Sequence, residues 1–124
     1  MPNEVSPAYV REHERVLERA LSLPLPDAVF EVVHYNDHNR RMGPPPHCEA
    51  IPLRALASKG TPEQLDEWVH RAASLRNAAF DVGDARLRRD GSYERALARF
   101  KAAHPGFGEQ SYERVVGYGI YLAR

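Results

Sequence analysis

The chain has 124 residues, and its 17 basic and 17 acidic side chains give a formal net charge of zero. This length fits one domain over residues 1–124, and 43% hydrophobic with 27% charged residues is a globular composition. The balanced charge argues against a nucleic-acid binder, the lone Cys48 against an internal disulfide, and the lack of a long apolar run against a membrane span. We therefore expect a soluble, cytoplasmic protein.

The first predicted element is an amphipathic helix that begins at the Ser6-Pro7 dipeptide. Serine is a favoured N-cap, and proline fits the first helical position because an N–H there would lack a partner. Apolar residues recur near the helical period at Val10, Leu17 and Leu21, which predicts the buried face. Pro24 ends the helix, since proline disfavours helical geometry in the residue before it.

Residues 28–35 (AVFEVVHY) are predicted to form a β-strand. The run is rich in valine and contains Phe30, and β-branched and aromatic residues are typical of strands. A strand needs a partner for its backbone hydrogen bonds. We expect that partner to be residues 47–53, where Pro52 limits pairing to an edge, or the same strand of a second copy.

A longer helix is predicted to begin at Thr61. A short helical turn at residues 53–58 precedes it and ends at Gly60. Thr61 and Gln64 have the spacing of a capping box, in which each side chain bonds the other residue's backbone N–H. The buried stripe of this helix is expected to be Leu65, Trp68, Val69, Ala72 and Leu75.

Three more helices are predicted towards the end of the chain. Gly83 interrupts the chain before a short helix at residues 84–87, and Asp90-Gly91 forms a turn. Ser92 caps the next helix, and a corner at residues 104–108 leads into the last one. Their buried faces are expected to be Tyr93, Ala96, Leu97 and Phe100, and Tyr112, Val115, Val116, Ile120 and Leu122.

The last helix contains Gly117 and Gly119, and each costs about 1 kcal/mol relative to alanine in a helix interior. Close packing of another helix would offset this cost, so we expect such a contact here. Tyr118 and Tyr121 are expected to cover a neighbouring subunit. Together the elements predict a predominantly helical α+β fold, with four to five short helices on a small two-stranded sheet formed within one chain or between two.

The segment after the predicted strand, residues 36–48, is the most unusual part of the sequence. It is polar and then stiffened by three consecutive prolines, and a long connection of this kind is often functional. Imidazole and thiolate groups bind zinc in tetrahedral sites. The candidate metal ligands are His34, His38, His47 and Cys48.

The same region also suits an anion. Side-chain amides, imidazoles and guanidinium groups donate hydrogen bonds to phosphate or carboxylate, and the prolines would reduce the entropy lost on binding. The candidate ligand-binding residues are His34, Asn36, His38, Asn39, Arg40 and Arg41.

No sequence motif points to catalysis, so no catalytic residue is predicted, and zinc is the only cofactor considered. Arginine supplies 15 of the 17 basic residues, which is typical of a GC-rich bacterial genome. Residues 82–106 hold a modest excess of basic side chains, which would suit an acidic protein surface.

The leading hypothesis is a small bacterial-type accessory or protein-interaction domain that binds a second copy of itself or another protein. Neither a nucleic acid nor a membrane is an expected partner. The alternative hypothesis is a small-ligand or metal-binding protein that uses residues 36–48.

Overall fold

The computed structural model describes residues 7–41 and 50–124, and these ranges fold into helices with no strand or sheet. The chain groups into two compact units, residues 1–69 and 70–124. The helices are α1 (Pro7–Leu21), α2 (Leu25–Arg41), a short 3-10 helix (Leu53–Leu56), α3 (Pro62–Asn77), α4 (Ala79–Arg88), α5 (Tyr93–Ala103) and α6 (Glu109–Ala123).

The predicted α+β fold is therefore wrong, because the expected strand at residues 28–35 lies inside α2. Five consecutive residues of this run, 28–32, are buried. An apolar run that is buried on several sides has no clear period, so a buried helix and a buried strand look alike in sequence. The proposed partner strand is also absent in its described part, where Leu53 opens the 3-10 helix. Residues 47–49 lie outside the described residues.

Helix signals were present at both ends of α2. Pro26 and Asp27 lie in its first turn, where a missing N–H is harmless and a negative charge is favourable. Arg40 and Arg41 lie in its last turn, where the helix dipole favours cations. The backbone N–H of Ala28 donates to the carbonyl of Pro24 at 2.8 Å, so the two prolines start this helix as well as ending α1.

In the first unit, α1 and α2 pack against each other across the connection at residues 22–24, and the 3-10 helix contacts both. The helices each bury an alanine completely, Ala20 and Ala28, and small side chains let helix axes approach closely. The guanidinium of Arg19 lies 3.7 Å from the buried carboxylate of Glu31 and links the two helices.

The α1 prediction is correct in its end point but wrong in its buried face. The helix ends at Leu21, before Pro24, as expected, while the Ser6 cap lies outside the described residues. Its buried residues are Val16 and Ala20, whereas Val10 and Leu21 are exposed. The buried face of α1 is set by its packing against α2. The spacing of apolar residues within α1 alone does not identify that face.

The capping box of α3 is confirmed. The backbone N–H of Thr61 donates to Gln64 Oε1 at 2.9 Å, and the backbone N–H of Gln64 donates to Thr61 Oγ1 at 3.1 Å. Two backbone donors at the helix start are thereby satisfied. Of the predicted stripe, Leu65, Ala72 and Leu75 are buried, while Trp68 and Val69 are half-buried.

In the second unit, α4 and α6 are the most closely packed pair of helices, and they meet backbone to backbone. A Cβ added to Gly83 would overlap the carbonyl carbon of Gly119 and the nitrogen of Ile120. A Cβ added to Gly119 would overlap the carbonyl oxygen of Ala79 and lie 3.2 Å from the Gly83 Cα. Only residues without a side chain permit this approach.

The two glycine predictions have different outcomes here. Gly83 does not interrupt the chain, since it lies in the interior of α4 and the close contact offsets its low helix propensity. Close packing is confirmed at Gly119. The prediction of close packing is wrong at Gly117, because nothing lies within 4 Å of a Cβ built there.

The predicted corner between α5 and α6 is confirmed. Gly106 has a φ of 101°, which favours glycine, and the hydroxyl of Tyr112 donates to the carbonyl of His104 at 2.7 Å. The Lys101 ammonium donates to both carboxylate oxygens of Glu109, at 3.0 and 2.9 Å. These contacts hold the end of α5 against the start of α6.

The predicted buried faces of α5 and α6 are only partly confirmed, because Tyr93, Ala96, Leu97 and Ile120 are half-buried. Phe100, Tyr112, Val115 and Val116 are buried. Leu122 is 37% exposed, because it lies in the last turn of α6, beyond the contact with α4. The Arg76 guanidinium lies 4.3 Å from the ring centre of Tyr118, so that ring is covered from within the chain.

We predict opposite effects for alanine at the two glycines of α6. Gly119→Ala should destabilise the second unit by about 3 kcal/mol, because backbone atoms must separate to admit the methyl group. Gly117→Ala, the matched control in the same helix, should stabilise it by about 0.5–1 kcal/mol. Urea unfolding followed by circular dichroism measures both. Equal effects of the two changes would contradict the backbone contact.

We also predict a pH dependence from the Lys101–Glu109 contact. The hydrogen bond that the Lys101 ammonium donates to the Glu109 carboxylate raises the pKa of Lys101 above its ordinary value of 10.5. Folding therefore favours the charged form, so the stabilisation is fully present below pH 10.5 and is lost as the pH rises through the folded-state pKa. Unfolding of the wild type and Lys101→Met should differ at neutral pH and converge at high pH. A difference that stays constant would refute this assignment.

Candidate functional site

The six predicted ligand-binding residues lie in the second half of α2, on a helix instead of in a loop. Asn36 is half-buried and Asn39 is buried. His38, Arg40 and Arg41 are exposed. His34 is half-buried and stacks on Phe30 with 5.4 Å between ring centres. The helix therefore separates their side chains over several faces instead of gathering them in one pocket.

The side chain of Asn36 forms two hydrogen bonds with the backbone of Ile51, which lies 15 residues further along the chain. Its Nδ2 donates to the carbonyl of Ile51 at 3.0 Å, and its Oδ1 accepts from the Ile51 N–H at 2.8 Å. Ile51 is itself buried, so both of its backbone groups depend on this side chain for a partner. The Asn36 amide thus acts as a structural clamp between α2 and the chain before the 3-10 helix.

Asp37 pairs with both candidate arginines on the same helix. Its carboxylate lies 2.7 Å from Arg40 Nη2 and 3.1 Å from Arg41 Nε. These spacings of three and four residues bring side chains together on a helix surface. The two guanidinium groups are therefore partly neutralised before any ligand arrives.

Two of the four candidate zinc ligands, His34 and His38, lie within the described residues. His34 and His38 lie one helical turn apart on α2, a spacing that puts side chains on one face. Among the described residues, no three His, Cys, Asp or Glu side chains form a group able to hold a metal ion. His47 and Cys48 lie outside the described residues, so the four-ligand site stays a prediction.

A groove that the sequence did not single out lies between the end of α4 and the start of α5. It has a volume of about 440 Å³ and is called the arginine groove below. The clue in the sequence was the basic cluster at residues 86–89 followed by a glycine turn. Its lining residues are Arg86, Arg89, Gly91, Tyr93 and Glu94.

The arginine groove carries an excess of positive charge, with two arginines and one glutamate in its lining. The Arg86 guanidinium lies 5.1 Å from the ring centre of Tyr93, a cation–π contact that orients it. Within residues 7–41 and 50–124, neither Arg86 nor Arg89 forms an ion pair, although Glu94 lines the same groove. The neighbouring Arg88, by contrast, lies 3.4 Å from the carboxylate of Asp84.

Arg89 has an uncommon backbone conformation. It follows the last residue of α4 with a φ of 52° and a ψ of 34°, the left-handed region that usually holds glycine at helix ends. A side chain there costs roughly 1 kcal/mol. The predicted turn after it is confirmed, with Gly91 at a φ of 85°.

A second, smaller cavity of about 300 Å³ lies between the second half of α3 and the corner after α5. The carbonyl of His104 is engaged by Tyr112, and its ring lies 5.3 Å from that of Phe100. This cavity therefore adjoins packed structure and has no cluster of charges of one sign. Its lining residues are Arg71, Ser74, Ala103, His104, Pro105 and Phe107.

Large apolar side chains are exposed on α4. Phe80 is 48% exposed and Leu87 is 42% exposed. They are seven residues apart, or two helical turns, and so lie on one face of the helix. We call these two residues the α4 apolar face. On α6, Tyr121 is the most exposed large apolar residue, at 67%.

We predict that Asn36 contributes to stability through Ile51. Asn36→Ala should destabilise the protein by about 2 kcal/mol, because the buried Ile51 N–H and carbonyl lose their partner. Asn77→Ala, which removes an exposed amide at the end of α3, should change stability by less than about 0.5 kcal/mol. Thermal unfolding of the two variants tests this. An Asn36→Ala variant as stable as Asn77→Ala would show that water replaces the clamp.

None of the described helices is both long and apolar enough to cross a membrane. No protein-family model, no curated protein and no solved structure is significantly similar to this chain.

Proposed function

We propose that this chain is an accessory protein-interaction domain that binds another protein through the α4 apolar face. The observation that carries the proposal is the exposure of Phe80 and Leu87 on one side of a single helix. Burial of a large apolar side chain is worth about 1.5–3 kcal/mol relative to full exposure. Because each residue is slightly less than half exposed, a partner that covers both would recover about half of this free energy for each.

The packing of α4 supports a docking role for this helix. Its backbone contacts α6 at Gly83 and Gly119, so the helix is held against α6, and Phe80 and Leu87 flank Gly83 on a side that stays partly exposed. A rigid surface loses little conformational entropy on binding. The two apolar residues are thereby presented in a fixed spacing to a partner.

Charge favours a different protein over a second copy as the partner. Leu87 lies between Arg86 and Arg88 in the last turn of α4. A two-fold symmetric dimer through this face would place the same basic residues of two copies near one another. Like charges at an interface oppose association, whereas an acidic partner would be attracted. The homodimer is therefore the second candidate.

Support is weaker for a small-ligand or metal-binding function at residues 36–48. Asn36 is engaged by Ile51, and Arg40 and Arg41 are paired with Asp37. We expect the protein to act in the cytoplasm, where its single cysteine would stay reduced.

The experiment begins with light scattering to establish the oligomeric state, followed by selection of binders from a displayed library of short peptides. We expect a monomer, and selected peptides whose NMR footprint covers α4. The Phe80→Ser, Leu87→Ser double variant should weaken their binding about tenfold or more, since it removes both apolar contacts.

A matched control uses the exposed apolar pair of α1, Tyr9 and Val10, which are 36% and 37% exposed. Tyr9→Ser with Val10→Ser should leave peptide binding unchanged. A stable wild-type dimer that the α4 double variant dissociates would replace this proposal with the homodimer. Footprints away from α4 would reject the α4 apolar face altogether.

A further inference from the structure

We propose that the arginine groove binds side-chain carboxylates of an acidic peptide segment in the partner protein. This inference rests on the proposed function, because it names the chemistry of the partner that covers α4. It concerns a different set of atoms, the guanidinium groups of Arg86 and Arg89, and is therefore tested separately.

The groove has the volume of a binding site. Its volume of about 440 Å³ falls within the range of roughly 300–1,000 Å³ seen for small-ligand pockets. Gly91 lies in its lining, and nothing is within 4 Å of a Cβ built on that glycine. The groove is thus open enough for a peptide side chain to enter from solvent.

Carboxylate is the ligand chemistry that the two arginines select. A guanidinium group donates parallel hydrogen bonds to both oxygens of a carboxylate, and such charge-assisted pairs are about twice as strong as neutral hydrogen bonds. Within the described ranges both guanidinium groups lack an acidic partner. Stacking of Arg86 on Tyr93 restricts its movement, which lowers the entropy lost when a ligand binds.

Glu94 is the one acidic residue in the lining. It forms no ion pair with either arginine, so the groove keeps an excess of positive charge. Its carboxylate would repel an acidic ligand, and the proposal therefore requires that removing this charge strengthens binding. The test can therefore include a substitution of Glu94 that is expected to increase the affinity for an acidic ligand.

The backbone at Arg89 supports a role for its side chain. A glycine would fit the left-handed conformation without cost, whereas an arginine there is strained. Strain of this kind is often found at ligand-binding sites. The conformation sets the Arg89 side chain in the groove, beside the turn that leads to Tyr93.

The groove lies near the α4 apolar face but on another side of the helix. Arg86 and Leu87 are consecutive residues in the last turn of α4, so their side chains lie within about one helical turn, or 5.4 Å, along the axis and point about 100° apart around it. A partner segment with apolar residues followed by acidic ones would occupy both. The acidic half is the part assigned to the groove.

The test is an NMR titration of the isotope-labelled protein with a blocked peptide of alternating Glu and Ser, repeated at low and high salt. We expect the amide signals of Gly91 and Tyr93 to shift, and the affinity to fall as salt increases. Arg86→Gln combined with Arg89→Gly should weaken binding about tenfold. Glu94→Gln should strengthen it.

Two controls separate a built site from general charge attraction. Arg95→Gln with Arg99→Gln removes the same charge from an exposed face of α5 and should change the affinity by less than about twofold. Arg89→Gly alone should unfold at an equal or higher temperature than the wild type, because glycine relieves the strained backbone. If Arg89→Gly alone binds the peptide more weakly, that loss of binding then cannot arise from unfolding.

Equal weakening by the two double arginine variants would overturn the proposal, as would an absence of shifts at Gly91 and Tyr93. So would inorganic phosphate that binds the groove as tightly as the peptide, since the site would then take any anion. The Phe80→Ser, Leu87→Ser variant separates the two hypotheses. If this variant still binds the acidic peptide, the proposed carboxylate site in the arginine groove is supported even if the α4 apolar face is rejected as a docking surface.

Discussion

The second unit depends on one contact, the crossing of α4 and α6 at Gly83 and Gly119. Main-chain atoms of both helices touch there, so the distance between the helix axes is set by glycine alone. The buried valines of both helices, Val82, Val115 and Val116, can fill the space around the crossing only at that distance. The contact also fixes the direction in which α4 presents Phe80 and Leu87. Packing in the interior thus determines which apolar side chains remain outside.

The two surfaces assigned to binding differ in their physical basis. The α4 apolar face gains from the removal of water, which has little directional preference. The arginine groove gains from hydrogen bonds and charge, which depend on direction and are sensitive to salt. A partner that uses both would derive affinity mainly from Phe80 and Leu87, while Arg86 and Arg89 would fix the orientation of its segment.

Local signals in the sequence were sufficient for some elements and insufficient for others. The Thr61–Gln64 capping box, the Asp90-Gly91 turn and the corner after α5 depend on neighbouring residues, and the structure has all three. The state of residues 28–35 depends on burial by other elements, and there the β-branched composition pointed to a strand. The end signals of α2, from Pro26 to Arg41, were the better guide.

The candidate sites show the same division. The arginine cluster was visible in the sequence, but the left-handed conformation of Arg89 and the stacking of Arg86 on Tyr93 arise only when α4 and α5 meet. In α2 the run of polar residues is evident from composition alone, although it lies on a helix and not in the predicted loop. Their partners, above all the Ile51 backbone bonded by Asn36, lie too far along the chain to be inferred from spacing.

The Asn36 clamp has a consequence for changes in chain length. It joins positions separated by 15 residues, so the intervening segment begins and ends at fixed points. The entropy of closing a loop rises only with the logarithm of its length, by about 0.6 kcal/mol per doubling. A change in the number of residues between positions 36 and 51 therefore alters the free energy of forming the clamp, which holds the chain before the 3-10 helix to α2.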